Sequence, residues 1–325
     1  MPNITVCISV DWEGRGLTGI DALKSFNERF PNIPLTHFVS AAYLSRTSEE
    51  EVLEKIAQAM VPAVKPADEI ALHIHCWRSL YEDYRGGKEY TTKPRGTETL
   101  VYADQVYKDS GYVVALSSLE PADINQLFDV SIQKIQPFLA ALGTANKVQY
   151  PIQGFRSGGW MANDKVFGVL QMGKGLVYDA SAVDCLFGLR ASEEYVEQVE
   201  PMAEGIAKMW GAAKTANNTQ NWQATLGSGV GRMTGPYRVG NLIELPNNGM
   251  LLPAVDAADV QNFLGWALSQ PANRDLYLSI GFHQESSPRY IKDFGDVIEP
   301  YSQNPQIQWL THVAYAQALG ALPAA

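Results

Sequence analysis

The chain has 325 residues, of which 46% are hydrophobic and 18% charged, a composition that excludes extended disorder and is typical of a globular protein of enzyme size. The formal net charge of -10 argues against a nucleic-acid backbone or an anionic membrane surface as a partner. No apolar run approaches the length of a membrane span. No signal-peptide pattern precedes the first apolar run, so a native start at Met1 predicts a cytoplasmic protein.

Apolar, β-branched runs alternate with helical patterns through the first quarter of the chain. Strands are predicted over 4–10, 35–40 and 69–75, with a helix over 20–29 between the first two. A second helix is predicted from a capping box at 48–51 to about Met60. The segment 78–120 then breaks the pattern and is rich in Tyr, Gly, Thr and charged residues. It is predicted to be a long excursion, of the kind that forms lids and binding loops.

The alternation resumes and continues almost to the end of the chain. The predicted elements are a helix from Pro121 to about Leu142, a strand over 153–157, a helix over 164–172, a strand over 176–182, a second excursion over 190–240, a strand over 242–246, a helix over 256–269, a strand over 276–282 and a helix over 311–319. This pattern predicts a single α/β domain over residues 1–325. A distorted (β/α) barrel of about seven parallel strands is favoured over an open sheet.

Polar side chains follow the predicted strands at their carboxyl ends, where barrel enzymes build their sites. They are Asp11, Glu13, His73, His75, Arg156 and His283. His73 and His75 are two positions apart on a strand, so their imidazoles should lie side by side on one face. Some of the set could hold a divalent cation through nitrogen and oxygen ligands, while the others activate water and protonate a leaving group. The set predicts a hydrolase that acts on an amide or ester.

The order of these motifs resembles that of the polysaccharide deacetylase (NodB-homology, carbohydrate esterase family 4) superfamily, over residues 4 to about 285. The run Ser9-Val-Asp11 resembles the strand that carries the family's catalytic base. Phe155-Arg156-Ser-Gly-Gly159 resembles the arginine motif that braces this base, and Ser279-Ile-Gly-Phe-His283 resembles the motif of the general acid. The resemblance implies a NodB-like barrel, the catalytic residues Asp11, Arg156 and His283, and a divalent metal, most simply Zn²⁺.

The sequence departs from the family pattern at the metal ligands. Trp12 stands where the family has its metal-binding aspartate, and Trp77 where it has its second zinc histidine. Glu13 and His75 lie next to these positions and could supply the ligands instead. The expected metal site is then Asp11, Glu13, His73 and His75. The alternative is that Glu13 and His75 serve only in polar bracing.

Three further residues belong to the expected surroundings of the site. Trp77 and Trp160 are predicted to stack on a sugar ring, although both could equally fill the barrel mouth. His37 stands where the family has an aromatic residue, and it is predicted to be a buried polar residue near the site.

The resemblance and the polar set together favour a deacetylase that removes an acetyl or similar acyl group from an amino sugar or other carbohydrate. The expected partner is a small-molecule or oligosaccharide substrate. Two alternatives stay open. One is a metal-free, allantoinase-like hydrolase of cyclic amides, and the other is a non-catalytic carbohydrate-binding protein.

Overall fold

The computed structural model of the chain describes residues 3–12, 18–41, 50–77, 80, 113–114, 116, 119–158, 162, 164–182, 235–248, 251–252, 257–271, 275–284 and 287–320. The two predicted excursions, 78–120 and 190–240, lie mostly outside these residues. Glu13, Trp160 and the start of the capping box at Ser48 also lie outside them.

The strands form one main sheet and one small ribbon. They are β1 Asn3–Trp12, β2 Leu35–Ser40, β3 Glu69–Ile74, β4 Cys76–Trp77, β5 Val113–Val114, β6 Gly154–Ser157, β7 Tyr178–Asp179, β8 Tyr237–Val239, β9 Leu242–Glu244, β10 Leu251–Leu252, β11 Asp275–His283 and β12 Ile307–Trp309. The main sheet has the order β10-β11-β1-β2-β3-β6-β7-β9-β8, with β12 also paired to β1. The strands β4 and β5 pair with each other.

All seven predicted strands are present, as β1, β2, β3, β6, β7, β9 and β11, and each is parallel to its neighbours among them. Successive strands adjoin, and the last of the seven returns beside the first. This is the order of a (β/α) barrel, and it confirms the predicted distorted barrel. The order ends at β10 on one side and at β8 and β9 on the other, so the barrel wall has a seam there.

The sequence did not predict the strands β4, β5, β8, β10 and β12, which have two or three residues each. Runs this short are below the length at which alternation of apolar and polar residues can be recognised. The strand β8 is antiparallel to β9 and extends the sheet at its edge.

The helices are Ile20–Arg29, Glu50–Met60, Pro121–Asn146, Asp164–Leu170, Ala257–Leu268, Ser287–Ile298 and His312–Gly320, with short 3-10 helices at Val61–Ala63 and Glu299–Tyr301. The helix Ser287–Ile298 was not predicted. Its buried Ile291, Phe294 and Ile298 have the spacing of one helix face, and Phe294 stacks on Phe26 with ring centroids 6.0 Å apart. None of the helices in the described ranges is long and apolar enough to cross a membrane.

The two faces of the barrel wall have different surroundings. On β1, Val10 and Trp12 belong to the large apolar cluster that also contains residues of the surrounding helices. Cys7 belongs to a smaller cluster with Phe38 of β2 and Tyr178 of β7, which lies on the inner face. Side chains alternate along a strand, so Asp11 shares the inner face with Cys7. The fold thereby directs Asp11 into the barrel and Trp12 out of it.

Candidate active site

Asp11 and His283 are neighbours at the carboxyl ends of adjacent strands. They are paired in the parallel register of β1 with β11, and such strands lie about 4.8 Å apart. Asp11 is buried, whereas His283 is partly exposed. The barrel therefore brings together the two residues expected to be a base and an acid.

Arg156 reaches from β6 to β1 through the barrel interior. Its Nη1 donates to Oδ1 of Asp11 at 2.6 Å and to Oγ of Ser9 at 3.0 Å. Its Nε donates to the carbonyl oxygen of Ala180 at 3.3 Å, and its Cζ lies 3.9 Å from the centroid of the Phe38 ring. Arg156 and Asp11 are 0% and 1% exposed, so removal of either would leave a buried charge unpaired, at a cost of about 3–5 kcal/mol.

His73 and His75 lie side by side on the inner face, with ring centroids 5.0 Å apart and planes at 88°. Nδ1 of His73 is 2.9 Å from the carbonyl oxygen of Arg156. A carbonyl only accepts hydrogen bonds, so Nδ1 carries a proton, and in the neutral ring Nε2 is the nitrogen with the lone pair. A side chain at Gly158 would place its Cβ 2.5 Å from Cγ of His75, so the glycine is needed where the backbone approaches this ring.

The two histidines fit a divalent metal as a pair of ligands. Imidazoles bound at ~2.1 Å to one tetrahedral ion have ring centroids roughly 5 Å apart, as these have. A metal-bound histidine also usually donates its other ring N–H to an acceptor, as His73 does. Within the described ranges, however, no three His, Cys, Asp or Glu side chains are grouped closely enough to share an ion, and Glu13 lies outside those ranges. Asp11, His73 and His75 are all described and do not form such a group, so the histidine pair is what the described residues retain of the expected ligand set.

Trp12 faces away from the site. Its side chain is fully buried in the outer apolar cluster, and its Nε1 donates to Nδ1 of His37 at 3.0 Å. The proton of His37 therefore lies on Nε2, which is 3.2 Å from Oδ2 of Asp68. His37 is buried as predicted, but on the outer face of the wall. Position 12 thus contributes neither a ligand nor a stacking surface to the barrel interior.

The two tryptophans expected to bind substrate are not placed by the structure. The backbone of Trp77 belongs to β4 and pairs with Val113 of β5. Trp160 lies outside the described residues. Substrate stacking on these residues stays a prediction.

Asn247 belongs to the site although the sequence analysis did not select it. Its Oδ1 accepts a hydrogen bond from Nη2 of Arg156 at 2.7 Å, and its Nδ2 donates to the carbonyl oxygen of Ala180 at 2.8 Å. The residue is 2% exposed. A polar Asn-Asn pair directly after the apolar run 242–246 was the available signal, since it repeats the pattern of a strand that ends in polar residues.

A chain of polar contacts continues from Asn247 through the barrel interior. Oγ of Ser279 donates to Oδ1 of Asn247 at 3.3 Å and lies 3.3 Å from Nε2 of His312. Nδ1 of His312 is 3.0 Å from Oγ1 of Thr36. The Thr36 hydroxyl is in turn 3.0 Å from Oε2 of Glu69. These contacts connect the site with the start of β3.

Glu69 is a buried carboxyl at the far end of this chain. Burial raises its pKa to about 7, although the Val313 N–H at 2.9 Å and the Tyr178 hydroxyl at 2.7 Å both donate to it. Burial also lowers the pKa of His312 well below its usual range, and the charge of Arg156 adds to this effect. His312 is therefore a neutral core residue at physiological pH.

Two further buried carboxyls, those of Asp179 and Glu244, occupy neighbouring positions on β7 and β9. Oε1 of Glu244 accepts from the Ala182 N–H at 2.7 Å, and Oδ1 of Asp179 accepts from the Ser181 hydroxyl at 2.7 Å. Burial and then the charge of Asp179 raise the pKa of Glu244 well above its usual range. Of the two carboxyls, Glu244 is the one that the charge of its neighbour drives towards the protonated form.

Comparison with known proteins supports the fold. No protein-family model matches the sequence, and a search of curated proteins found no match. Among solved structures, a protein from Mycobacterium smegmatis assigned as a polysaccharide deacetylase superposes with a TM-score of 0.51 and 12% identity, over 100% of this chain and 93% of its own. The chain shares the fold of this structure. PuuE allantoinase also superposes on this chain, with a TM-score of 0.50 and 12% identity, over 98% of this chain and 91% of its own.

Proposed function

We propose that the protein is a hydrolase that removes an acetyl or similar acyl group from an amino sugar or other carbohydrate, as a single catalytic domain over residues 1–325. One observation carries the proposal. A buried Asp11–Arg156 ion pair stands beside His283 at the carboxyl end of a barrel, facing the same interior as His73 and His75. The proposal rests on a fixed carboxylate, a partly exposed imidazole and two further imidazoles that share the inner face of the sheet.

The proposed reaction uses each of these groups once. The Asp11 carboxylate takes a proton from water as the water oxygen bonds to the acyl carbon. Arg156 holds Asp11 in the orientation that this step requires. His283 then gives a proton to the leaving atom, the amide nitrogen or the ester oxygen of the sugar, as the bond between that atom and the acyl carbon breaks. Acetate and the deacylated sugar are the products.

A divalent metal would be held by His73 and His75, with Glu13 as a further proposed ligand and Asp11 acting as the base. When bound, such an ion polarises the acyl carbonyl and favours deprotonation of water. A second candidate function is a metal-free hydrolase of cyclic amides. The outward orientation of Trp12 favours it, because the family's ligand position is directed away from the interior. The same Asp11, Arg156 and His283 would act in that reaction.

Acetate release by the purified full chain tests the proposal. The substrates are N-acetylated chito-oligosaccharides and O-acetylated xylo-oligosaccharides, and ring opening of allantoin is measured in parallel. Asp11→Asn should lower kcat by about 100-fold or more, because the general base is lost. The matched control is Asp21→Asn on the exposed face of the helix Ile20–Arg29, which should keep wild-type activity.

Metal dependence separates the two candidate functions. Loss of acetate release on chelation, recovery with Zn²⁺ or Co²⁺, and loss of bound metal in a His73→Ala/His75→Ala variant would support the metal-assisted deacetylase. His37→Gln, on the other face of the sheet, is the control for metal content. Chelator-resistant consumption of allantoin would support the second function. Sugar binding without turnover, equal in wild type and Asp11→Ala, would refute both and indicate a binding protein.

A further inference from the structure

Two asparagines that follow β9 close the seam of the barrel, Asn248 through its side chain and Asn247 through its backbone. Nδ2 of Asn248 donates to the carbonyl oxygen of Tyr277 at 2.7 Å, and its Oδ1 accepts from the Ser279 N–H at 2.8 Å. The side chain thus bonds to β11 as a neighbouring strand would. On the other side of the seam, the Asn247 N–H donates to the carbonyl oxygen of Ala182 at 2.8 Å. Both asparagines are buried.

Only Asn247 also contacts the catalytic ion pair. Its Nδ2 faces the carbonyl oxygen of Ala180, which can only accept, and its Oδ1 faces Nη2 of Arg156, which can only donate. A single orientation of the amide satisfies both neighbours. Asn247 therefore offers Arg156 a fixed acceptor on the side of the guanidinium opposite to the one that donates to Asp11.

The guanidinium has few other constraints on this side. Nη1 donates to Asp11 and Ser9, and Nε donates to Ala180. Without the oxygen of Asn247, the Nη2 group would lose its 2.7 Å acceptor in a fully buried position. A buried donor that loses its partner either moves or remains unsatisfied. Movement of the Arg156 guanidinium would also displace the hydrogen bonds that its Nη1 makes.

We propose that Asn247 is a positioning residue for catalysis: through its Oδ1 it holds the Arg156 guanidinium, and with it the Asp11 carboxylate, while Asn248 only closes the barrel. The expected effect on kcat rests on the proposed function. The expected effect on the position of the Arg156 guanidinium rests on the hydrogen bonds alone. The seam of the fold and the orientation of the base are thereby connected through one side chain.

The test compares three variants of the full chain. Asn247→Leu removes the acceptor and keeps the branching and heavy-atom count of the side chain, and Asn247→Asp keeps an acceptor oxygen towards Arg156. Asn248→Leu is the matched control, because it weakens the same seam without touching Arg156. The first readout is the ¹⁵N spectrum of guanidinium groups in arginine-labelled protein, with the Arg156 signals identified by their loss in Arg156→Lys. The second is kcat and KM for acetate release.

Asn247→Leu should shift or broaden the Arg156 Nη signals and lower kcat by ~10–100-fold, with KM changed by less than about threefold. Asn247→Asp should keep resolved Nη signals. Asn248→Leu should lower the melting temperature but leave both the signals and kcat at wild-type values. Wild-type signals and kcat in Asn247→Leu, or equal changes in Asn248→Leu, would overturn the proposal. If wild type releases no acetate, the proposed function fails, and the spectra alone still decide the role of Asn247.

Discussion

Replacement of Glu69 by glutamine should make the stability of the protein less dependent on pH between about 5 and 8. The carboxyl of Glu69 is buried between β2 and β7 and has a pKa raised to about 7. An amide can replace the protonated acid here. Its oxygen can accept from the Val313 N–H and the Thr36 hydroxyl, and its NH₂ group can donate to the Tyr178 hydroxyl.

The sign follows from proton binding in the two states. Below about pH 4.5, Glu69 is protonated in both the folded and the unfolded chain. Between about pH 4.5 and 7 the unfolded chain has released this proton and the folded protein still holds it, so stability falls as pH rises. One pKa unit corresponds to ~1.4 kcal/mol, so a shift from 4.5 to about 7 removes about 3 kcal/mol of unfolding free energy by pH 8.

Urea unfolding of wild type and Glu69→Gln, followed by circular dichroism at several pH values from 5 to 8, measures this effect. The variant should gain about 2–3 kcal/mol relative to wild type across the range. Contributions of Asp179 and Glu244 cancel, because both proteins contain them. Glu28→Gln removes the same charge from an exposed side chain and serves as the control. A difference between wild type and Glu69→Gln that stays constant within about 0.5 kcal/mol would refute the reasoning.

Three further substitutions test the site and its surroundings. Gly158→Ala should displace the His75 ring and reduce bound metal or acetate release about tenfold, whereas Gly168→Ala, where a Cβ meets no atom within 4 Å, should not. Trp12→Asp should lower the unfolding free energy, measured in urea, by about 3–5 kcal/mol, because position 12 faces the outer apolar layer. Elemental analysis should find no more bound metal in this variant than in wild type. Glu244→Gln should gain stability relative to wild type as pH rises from 5 to 8, since burial raises the pKa of this carboxyl.

The sequence predicts the strands of this barrel well because they are local features. The apolar run that becomes β1 and the run that becomes β11 are each long enough to be read without any knowledge of their neighbours. The polar residues at their ends follow from the same patterns, as does the shared face of His73 and His75. The helix Ser287–Ile298 was missed although the spacing of Ile291, Phe294 and Ile298 on one helix face was present in the sequence.

Contacts that depend on pairing between distant strands could not be predicted in this way. Asn247 meets Arg156 across 91 positions of sequence, and this contact exists only once the barrel has brought β6 beside the seam. The orientation of Trp12 could be predicted only in part. Alternation along β1 separates Trp12 from Asp11, but only the structure shows that the inner face belongs to Asp11.

Trp12 and His37 form one structural unit. His37 is on β2 beside β1, and its Nδ1 accepts the indole N–H of Trp12 at 3.0 Å. Asp68 holds the other nitrogen and also accepts from the backbone N–H groups of Leu35 and Lys65. A buried indole N–H requires an acceptor, and a buried imidazole requires both a donor and an acceptor. The indole of Trp12 and the imidazole of His37 therefore depend on each other for their hydrogen bonds. The outer layer keeps these polar atoms satisfied, while Asp11 directs its carboxylate into the interior.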